Sequence, residues 1–185
     1  MLYYIHGYLS SPNSVKGILF REKLNAIAIN YRDCEPEEIV ISECLKCIAK
    51  EIEGDNDVVL IGSSLGGFLA AKTALLNPNV KKIILLNPAI FPPSVNTAKI
   101  QGVSQRILSE MQDIRFFKEK INSKIFILLG TKDEVIPSEW AIDFAIAQEA
   151  TIRFLYDDHS FTHNIDKIPF IISEILGFNT KNINQ

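Results

Sequence analysis

Ile61-Gly62-Ser63-Ser64-Leu65-Gly66-Gly67 (IGSSLGG) joins the apolar run Val58-Val59-Leu60 to FLAAKTALL, residues 68–76, which has the composition of a helix. Three glycines at such a junction weaken both elements, so they mark a backbone constraint more than a packing choice. Read as Gly62-Ser63-Ser64-Leu65-Gly66, the run fits G-x-S-x-G in one register, with Ser64 central. The central residue of that pattern sits on a strained strand-to-helix turn, and the positions two away must lack side chains to avoid collision. The turn lifts the Ser64 hydroxyl above a sheet and aims the Leu65 N–H at the same space. The expectation is a nucleophile elbow.

The rest of the chain supplies a matching scaffold. Short runs rich in Ile, Val and Leu occur at residues 2–5, 26–30, 58–61, 82–86, 124–129 and 151–156. Their nearly continuous apolar character predicts strands buried on both faces. Helix-like segments fall between them, at 13–24, 36–53, 65–77, 97–121, 138–149 and 165–176. Asn13 or Ser14 can cap the first, Pro36 opens the second, Gly54 and Asn77-Pro78 end the second and third, and Gly177 closes the last. Strands alternating with helices imply right-handed crossovers and an α/β fold: about six mainly parallel strands with helices on both faces. One domain over residues 1–178 is expected, followed by a polar tail, 179–185. Within it, residues 88–123 open with NPAIFPP and leave the carboxyl end of a strand, where ligand crevices form. They are expected to form a small cap-like insertion over the site.

Bulk properties narrow the function. The 185 residues are 47% hydrophobic and 22% charged, which is ordinary for one globular domain. A net charge of −3 without basic runs argues against a nucleic-acid partner. No apolar run reaches the roughly 20 residues of a membrane span. The opening MLYYIHG lacks an export pattern, so a cytoplasmic protein is expected. Cys34, Cys44 and Cys47 do not form a disulfide framework. Cys44 and Cys47 fall mid-helix on one face and are read as packing residues.

A serine hydroxyl needs a base. Of three histidines, His6 ends the first strand, while His159 and His163 follow the last one in YDDHSFTHN. In this architecture the chain order is serine, acid, histidine. His159, directly after the final strand, is therefore the expected base. His163 is read as a surface residue and His6 as support for its loop. The acid should follow the penultimate strand, where GTKDEV offers Asp133 and Glu134; Asp133 is taken, to hold the His159 tautomer. The oxyanion donors are expected to be the Leu65 and Tyr8 backbone N–H groups, Gly7 letting the loop turn. Ile90, Phe91 and Phe161 are candidate pocket walls, with plain apolar core as the alternative for each.

YIHGYLSSPNS, IGSSLGGFLA, LLNPAIFPP, GTKDEV and DHSF together resemble the small α/β-hydrolase esterases of the YqiA/YcfP (UPF0227) group, in order and over nearly the whole chain. The resemblance implies a minimal α/β-hydrolase fold lacking the first two strands of larger relatives. It further implies esterase or thioesterase activity on acyl substrates, with nucleophile, acid and base at Ser64, Asp133 and His159. The group tends to carry glycines before the histidine, where this chain has Asp157-Asp158. Two carboxylates there would either raise the histidine's pKa or redirect the loop.

The leading expectation is a serine hydrolase that cleaves carboxylic esters or thioesters through an acyl-enzyme, needing neither metal nor cofactor. Its partner is a small-molecule acyl substrate; the sequence leaves the oligomeric state open. Alternatives are a hydrolase of amide or carbon–carbon bonds on the same fold, or a non-catalytic binding protein that kept it. Residues 97–124 carry six basic and three acidic groups. Their excess of positive charge suggests either a phosphate-binding face for acyl-CoA or a solvated helix surface.

Overall fold

In the computed structural model, which describes residues 1–178, the apolar runs become six strands. They are β1 (Leu2–Ile5), β2 (Ile27–Ile29), β3 (Val58–Ser63), β4 (Val80–Leu86), β5 (Lys124–Gly130) and β6 (Thr151–Leu155). All pair in parallel, in the order β2-β1-β3-β4-β5-β6. Successive side chains of a strand point to opposite faces, and both faces here are buried. Ile83 and Leu85 of β4 join one core, while Ile84 and Leu86 join the other. The same split separates Tyr3 and Ile5 from Tyr4 in β1. This is why the strands read as continuous apolar runs.

Seven helices cover the faces: α1 (Val15–Leu24), α2 (Ile41–Glu51), α3 (Leu65–Leu76), α4 (Gln105–Met111), α5 (Arg115–Lys118), α6 (Ser138–Gln148) and α7 (Ile168–Leu176). Phe20 and Leu24 of α1 pack with Ile168, Ile171 and Ile172 of α7 on one face. α2 through α6 supply the other core. The chain leaves β1 toward β2 on one side and returns to β3 on the other. That reversal makes the carboxyl ends of β1 and β3 a topological switch point, the place where open α/β sheets bind ligands. No described helix is long and apolar enough to cross a membrane.

Four local expectations change. The helix expected at 36–53 is a 3-10 turn, Pro36–Glu38, then extended Ile39 and Val40, then α2. Val40 has no capping side chain; Glu110 from α4 accepts from the Ile41 N–H instead, at 2.8 Å. The helix expected at 97–121 is broken into a 3-10 turn (Thr97–Lys99), α4 and α5, with Gly102 at φ +80° and Ser104 capping α4. β6 is not buried on both faces: it is an edge strand, and its Phe154 is half exposed. Cys44 is buried in the core while Cys47 is exposed. The polar tail expected at 179–185 lies outside the described residues.

The segment between β4 and β5 is bolted to the scaffold by charge. Asp113, nearly buried, receives Lys72 of α3 and the Arg115 guanidinium at 2.8 Å. Asp113→Ala would leave both cations uncompensated. It is expected to lower stability by about 3 kcal/mol in urea titrations, with far less loss for the exposed pair Arg106–Glu110.

Candidate functional site

At the end of β3 the chain turns into α3 through Ser64, which holds φ 54° and ψ −118°. A non-glycine residue in this region is strained by about 1–3 kcal/mol and persists only where its surroundings enforce it. The enforcement is backbone packing. A Cβ on Gly66 would lie 2.1 Å from the Ile5 carbonyl oxygen, and one on Gly62 would lie 2.3 Å from that of Gly66. The helix start thus presses against β1 with no room for a methyl group. Leu65 is the first residue of α3, so its N–H has no intrahelical acceptor.

The loop after β1 lies beside this turn: a Cβ on Gly7 would stand 3.4 Å from Ser64 Cβ. Arg32 clamps that loop by donating to the carbonyls of Tyr8 (2.8 Å) and Ser10 (3.0 Å). His6 is buried, stacks on Tyr31 at a centroid distance of 4.3 Å, and donates from Nδ1 to the Gly7 carbonyl at 2.9 Å. Burial pushes its pKa down to about 4, only partly offset by the Gly7 carbonyl, with Arg32 lowering it further. Its Nε2 has no partner among the described residues, so protonation would strand a second N–H.

Asp133 and His159 meet across the ends of β5 and β6, Asp133 Oδ2 to His159 Nδ1 at 2.8 Å. Asp133 is nearly buried, and its other oxygen accepts from the Val135 and Ile136 N–H groups. That arrangement fixes the carboxylate and sets the ring with Nδ1 as donor, leaving Nε2 as the acceptor. Glu134 is exposed. His163 is largely exposed, 3.5 Å from Asp157.

Three further residues build the site: Asn87, to which the sequence gave no role, and Asp157 and Asp158, for which it offered either a raised histidine pKa or a redirected loop. Asn87, buried at φ 43°, accepts from the Gly130 N–H (2.8 Å) and donates to the carbonyls of Asp158 (3.1 Å) and His159 (3.0 Å). It ties β4, β5 and the His159 loop together; its only signal was its place in LLNPAIFPP. Asp157 accepts from the backbone of Asp158, His163 and Asn164 and from the Asn164 side chain. Burial pushes its pKa up, but these donors outweigh that and leave it lowered. Asp158 accepts from the Ser160 and Thr162 N–H groups. The two carboxylates before His159 are therefore spent on shaping the loop.

Ser64, Leu65, Tyr8 and His159 line a single cavity of about 680 Å³. Phe91 lines it too, but Ile90 and Phe161 do not. Ile90 packs into the core beneath α3, and Phe161, at φ 59°, fills the opposite core beside α1 and α7. Met111, Ile136 and Trp140 add apolar wall in addition to Phe91. Of the six basic residues in residues 97–124, Arg106, Arg115 and Lys120 pair with Glu110, Asp113 and Glu149, while Lys99, Lys118 and Lys124 are exposed.

Residues 1–178 match the family described as Uncharacterised protein family (UPF0227). This chain belongs to that family. Among UPF0227 relatives, one from Pasteurella multocida (strain Pm70) is 24% identical over 184 residues, 96% of this chain and 98% of the relative. Another, from Shewanella woodyi, is 24% identical over 149 residues, 77% of this chain and 81% of the relative. The UPF0227 chain also shares its architecture with solved α/β hydrolases. Est1E from Butyrivibrio proteoclasticus superposes with a TM-score of 0.75 at 17% identity, covering 95% of this chain and 86% of that one. Mouse alpha/beta hydrolase domain-containing protein 10 gives 0.68 at 18% identity, covering 95% and 89%. At such identities the likeness establishes the α/β-hydrolase fold.

The His6 geometry has a pH consequence. Folded His6 stays neutral down to about pH 4, while the unfolded residue takes up a proton near pH 6.5. Stability from this group is complete above pH 6.5 and is lost as pH falls toward 4, in total about 3 kcal/mol. Urea unfolding at pH 7 and pH 4.5 should show this drop, and His6→Phe, which cannot titrate, should lack its share.

Proposed function

We propose that this chain is a serine hydrolase that cleaves carboxylic esters through an acyl-enzyme. The observation that carries the reading is the 2.8 Å Asp133–His159 bond at the rim of a cavity whose floor is the strained Ser64 turn. In this reading His159 Nε2 takes the Ser64 proton as Oγ attacks the acyl carbon. Asp133 keeps the ring oriented and stabilises the imidazolium. The Leu65 and Tyr8 N–H groups receive the oxyanion, each worth roughly 3 kcal/mol when well aimed. His159 then passes its proton to the leaving oxygen, the carbon–oxygen bond breaks, and the alcohol departs. Water, deprotonated by the same ring, attacks the acyl-enzyme and releases the acid.

Est1E, which shares this fold, has been solved with ferulic acid bound; a carboxylic acid held on this fold supports an acyl substrate. An apolar cavity wall beside the nucleophile favours an acyl chain of appreciable size.

A fluorophosphonate probe should add once to the wild type, by intact mass, and not to Ser64→Ala. Asp133→Asn and His159→Ala should each lower kcat on a short-chain aryl ester by about a hundredfold to ten-thousandfold, with folding retained. A folded wild type that takes no adduct would remove the proposal and leave a binding protein as the reading.

A further inference from the structure

The cavity is not uniform. It spans the sheet's carboxyl edge, with Ser64 and His159 between two ends of different chemistry. The end over the α3–α6 face is walled by Phe91, Ile107, Leu108, Met111, Ile136 and Trp140. The end over the α1–α7 face is lined by Ser10, Ser14, Lys16, Ser160 and Thr162 together with the apolar Leu9 and Ile165. The buried Tyr4 hydroxyl beneath them is bonded to Ser14 and Ser63. The polar groups this end offers are therefore the Lys16 ammonium and the Ser10, Ser160 and Thr162 hydroxyls. Val15 also lines this end, so the first turn of α1, with its unshared N–H groups, borders it.

Lys16 is the unexplained member. Its side chain is half-buried, and among the described residues no hydrogen bond or ion pair engages its ammonium. Burial lowers its pKa, and Asp158 and Asp157 counter this only from a distance. Those two carboxylates are already committed to loop N–H groups. An ammonium kept in a cavity wall without a contact partner calls for an oxygen-bearing ligand. The nearby Asp157 and Asp158 charges disfavour an anion there and favour a neutral group that both donates and accepts.

The direction of the substrate follows from proton transfer. His159 must protonate the leaving oxygen, so the leaving group lies on its side of Ser64, and the next residues, Ser160 and Thr162, line the polar end. We infer that the Lys16 end binds a polyhydroxylated leaving group, making the substrates acyl esters of glycerol-like or sugar-like alcohols. This rests on the hydrolase reading of Ser64 and His159 and narrows its substrate class.

The test uses binding, so that it stands apart from turnover. Affinities of Ser64→Ala for 1-monohexanoylglycerol, propyl hexanoate and 3-(hexanoyloxy)propanoate are measured by calorimetry, with and without Lys16→Met or Lys16→Arg. The glyceryl ester should bind at least about tenfold tighter than the propyl ester, although the latter is the more hydrophobic, because only it satisfies the polar wall. Lys16→Met should shrink that preference to about threefold or less, and Lys16→Arg, which keeps the donors, should retain most of it. The inference is overturned if the propyl ester binds as well, if the preference survives Lys16→Met, if the carboxylate ester binds best, or if the glyceryl ester does not bind. Wild-type turnover of the same esters is read separately: binding preference without any hydrolysis would sink the hydrolase reading, and with it the leaving-group assignment, whereas hydrolysis without the preference would overturn this inference alone.

Discussion

The close approach of Gly66 to the Ile5 carbonyl oxygen is the constraint on which the site depends. Two parallel strands bring their carboxyl ends together, and the helix following one of them starts directly against the end of the other. Only glycine fits that contact, and with it Ser64 is forced to φ 54°. The strain of about 1–3 kcal/mol is small beside what the surrounding core supplies. Because β1 and β3 are neighbours, the same contact also puts the loop carrying Gly7 and Tyr8 beside Ser64. Ser64 and the loop of Gly7 and Tyr8 are thus placed by one piece of backbone packing.

The acid–histidine half of the site is held by polar groups instead. Asn87, Asp157, Asp158 and the second oxygen of Asp133 all bond to backbone, not to one another's side chains. A buried carboxylate with four N–H donors is satisfied where a bare one would cost several kcal/mol. Two backbone bonds, from the Thr131 N–H to the Leu155 carbonyl and from the Lys132 N–H to the Asp157 carbonyl (both 2.8 Å), carry the pairing just past β5 and β6; beyond them side chains hold the loops. Any change to these residues acts first on where His159 stands, and only through it on chemistry.

The parts legible in the sequence were those set by local pattern. The strands, the elbow and the Ser64, Asp133, His159 order follow from apolar runs and from short motifs at strand ends. Features that depend on distant partners were not legible. Nothing near Val40 announces that α2 begins at Ile41, because its capping oxygen comes from Glu110 in another helix. Ile90 and Phe161 had the right composition for a pocket wall, yet each turns into a core that only the assembled sheet defines. Asn87 stood in a recognised stretch without a role, since its three partners lie at the end of β5 and in the His159 loop. For the Asp157-Asp158 pair the sequence left two readings, a raised histidine pKa or a redirected loop, and the bonds both carboxylates make to the loop backbone match the second.

How the wall over Ser64 is anchored bears on what it can accept. α5 is pinned to α3 through Asp113 and Lys72. It is tied to α6 through Gln148, whose amide donates to the Phe116 and Glu119 carbonyls (2.7 and 2.8 Å) while its oxygen accepts from Ile121 (2.9 Å). Phe116 stands edge-on to both Phe68 and Phe144, locking the same three helices together. The neighbouring stretch from Ile100 to Val103 also lines the cavity but lacks such anchors: Gly102 sits at φ +80° with open space where a side chain would go. The apolar end therefore pairs an inner wall of buried core residues, Ile107, Leu108 and Met111, with a half-buried rim in which Ile100 and Val103 flank the open Gly102 position. A dense inner wall penalises a poorly shaped acyl group near the reacting carbon, where geometry matters most. At the rim, added chain length displaces few packed atoms and costs correspondingly little. For the acyl substrate proposed above, selectivity at this end would therefore follow the shape of the acyl group close to the carbonyl, more than its overall length.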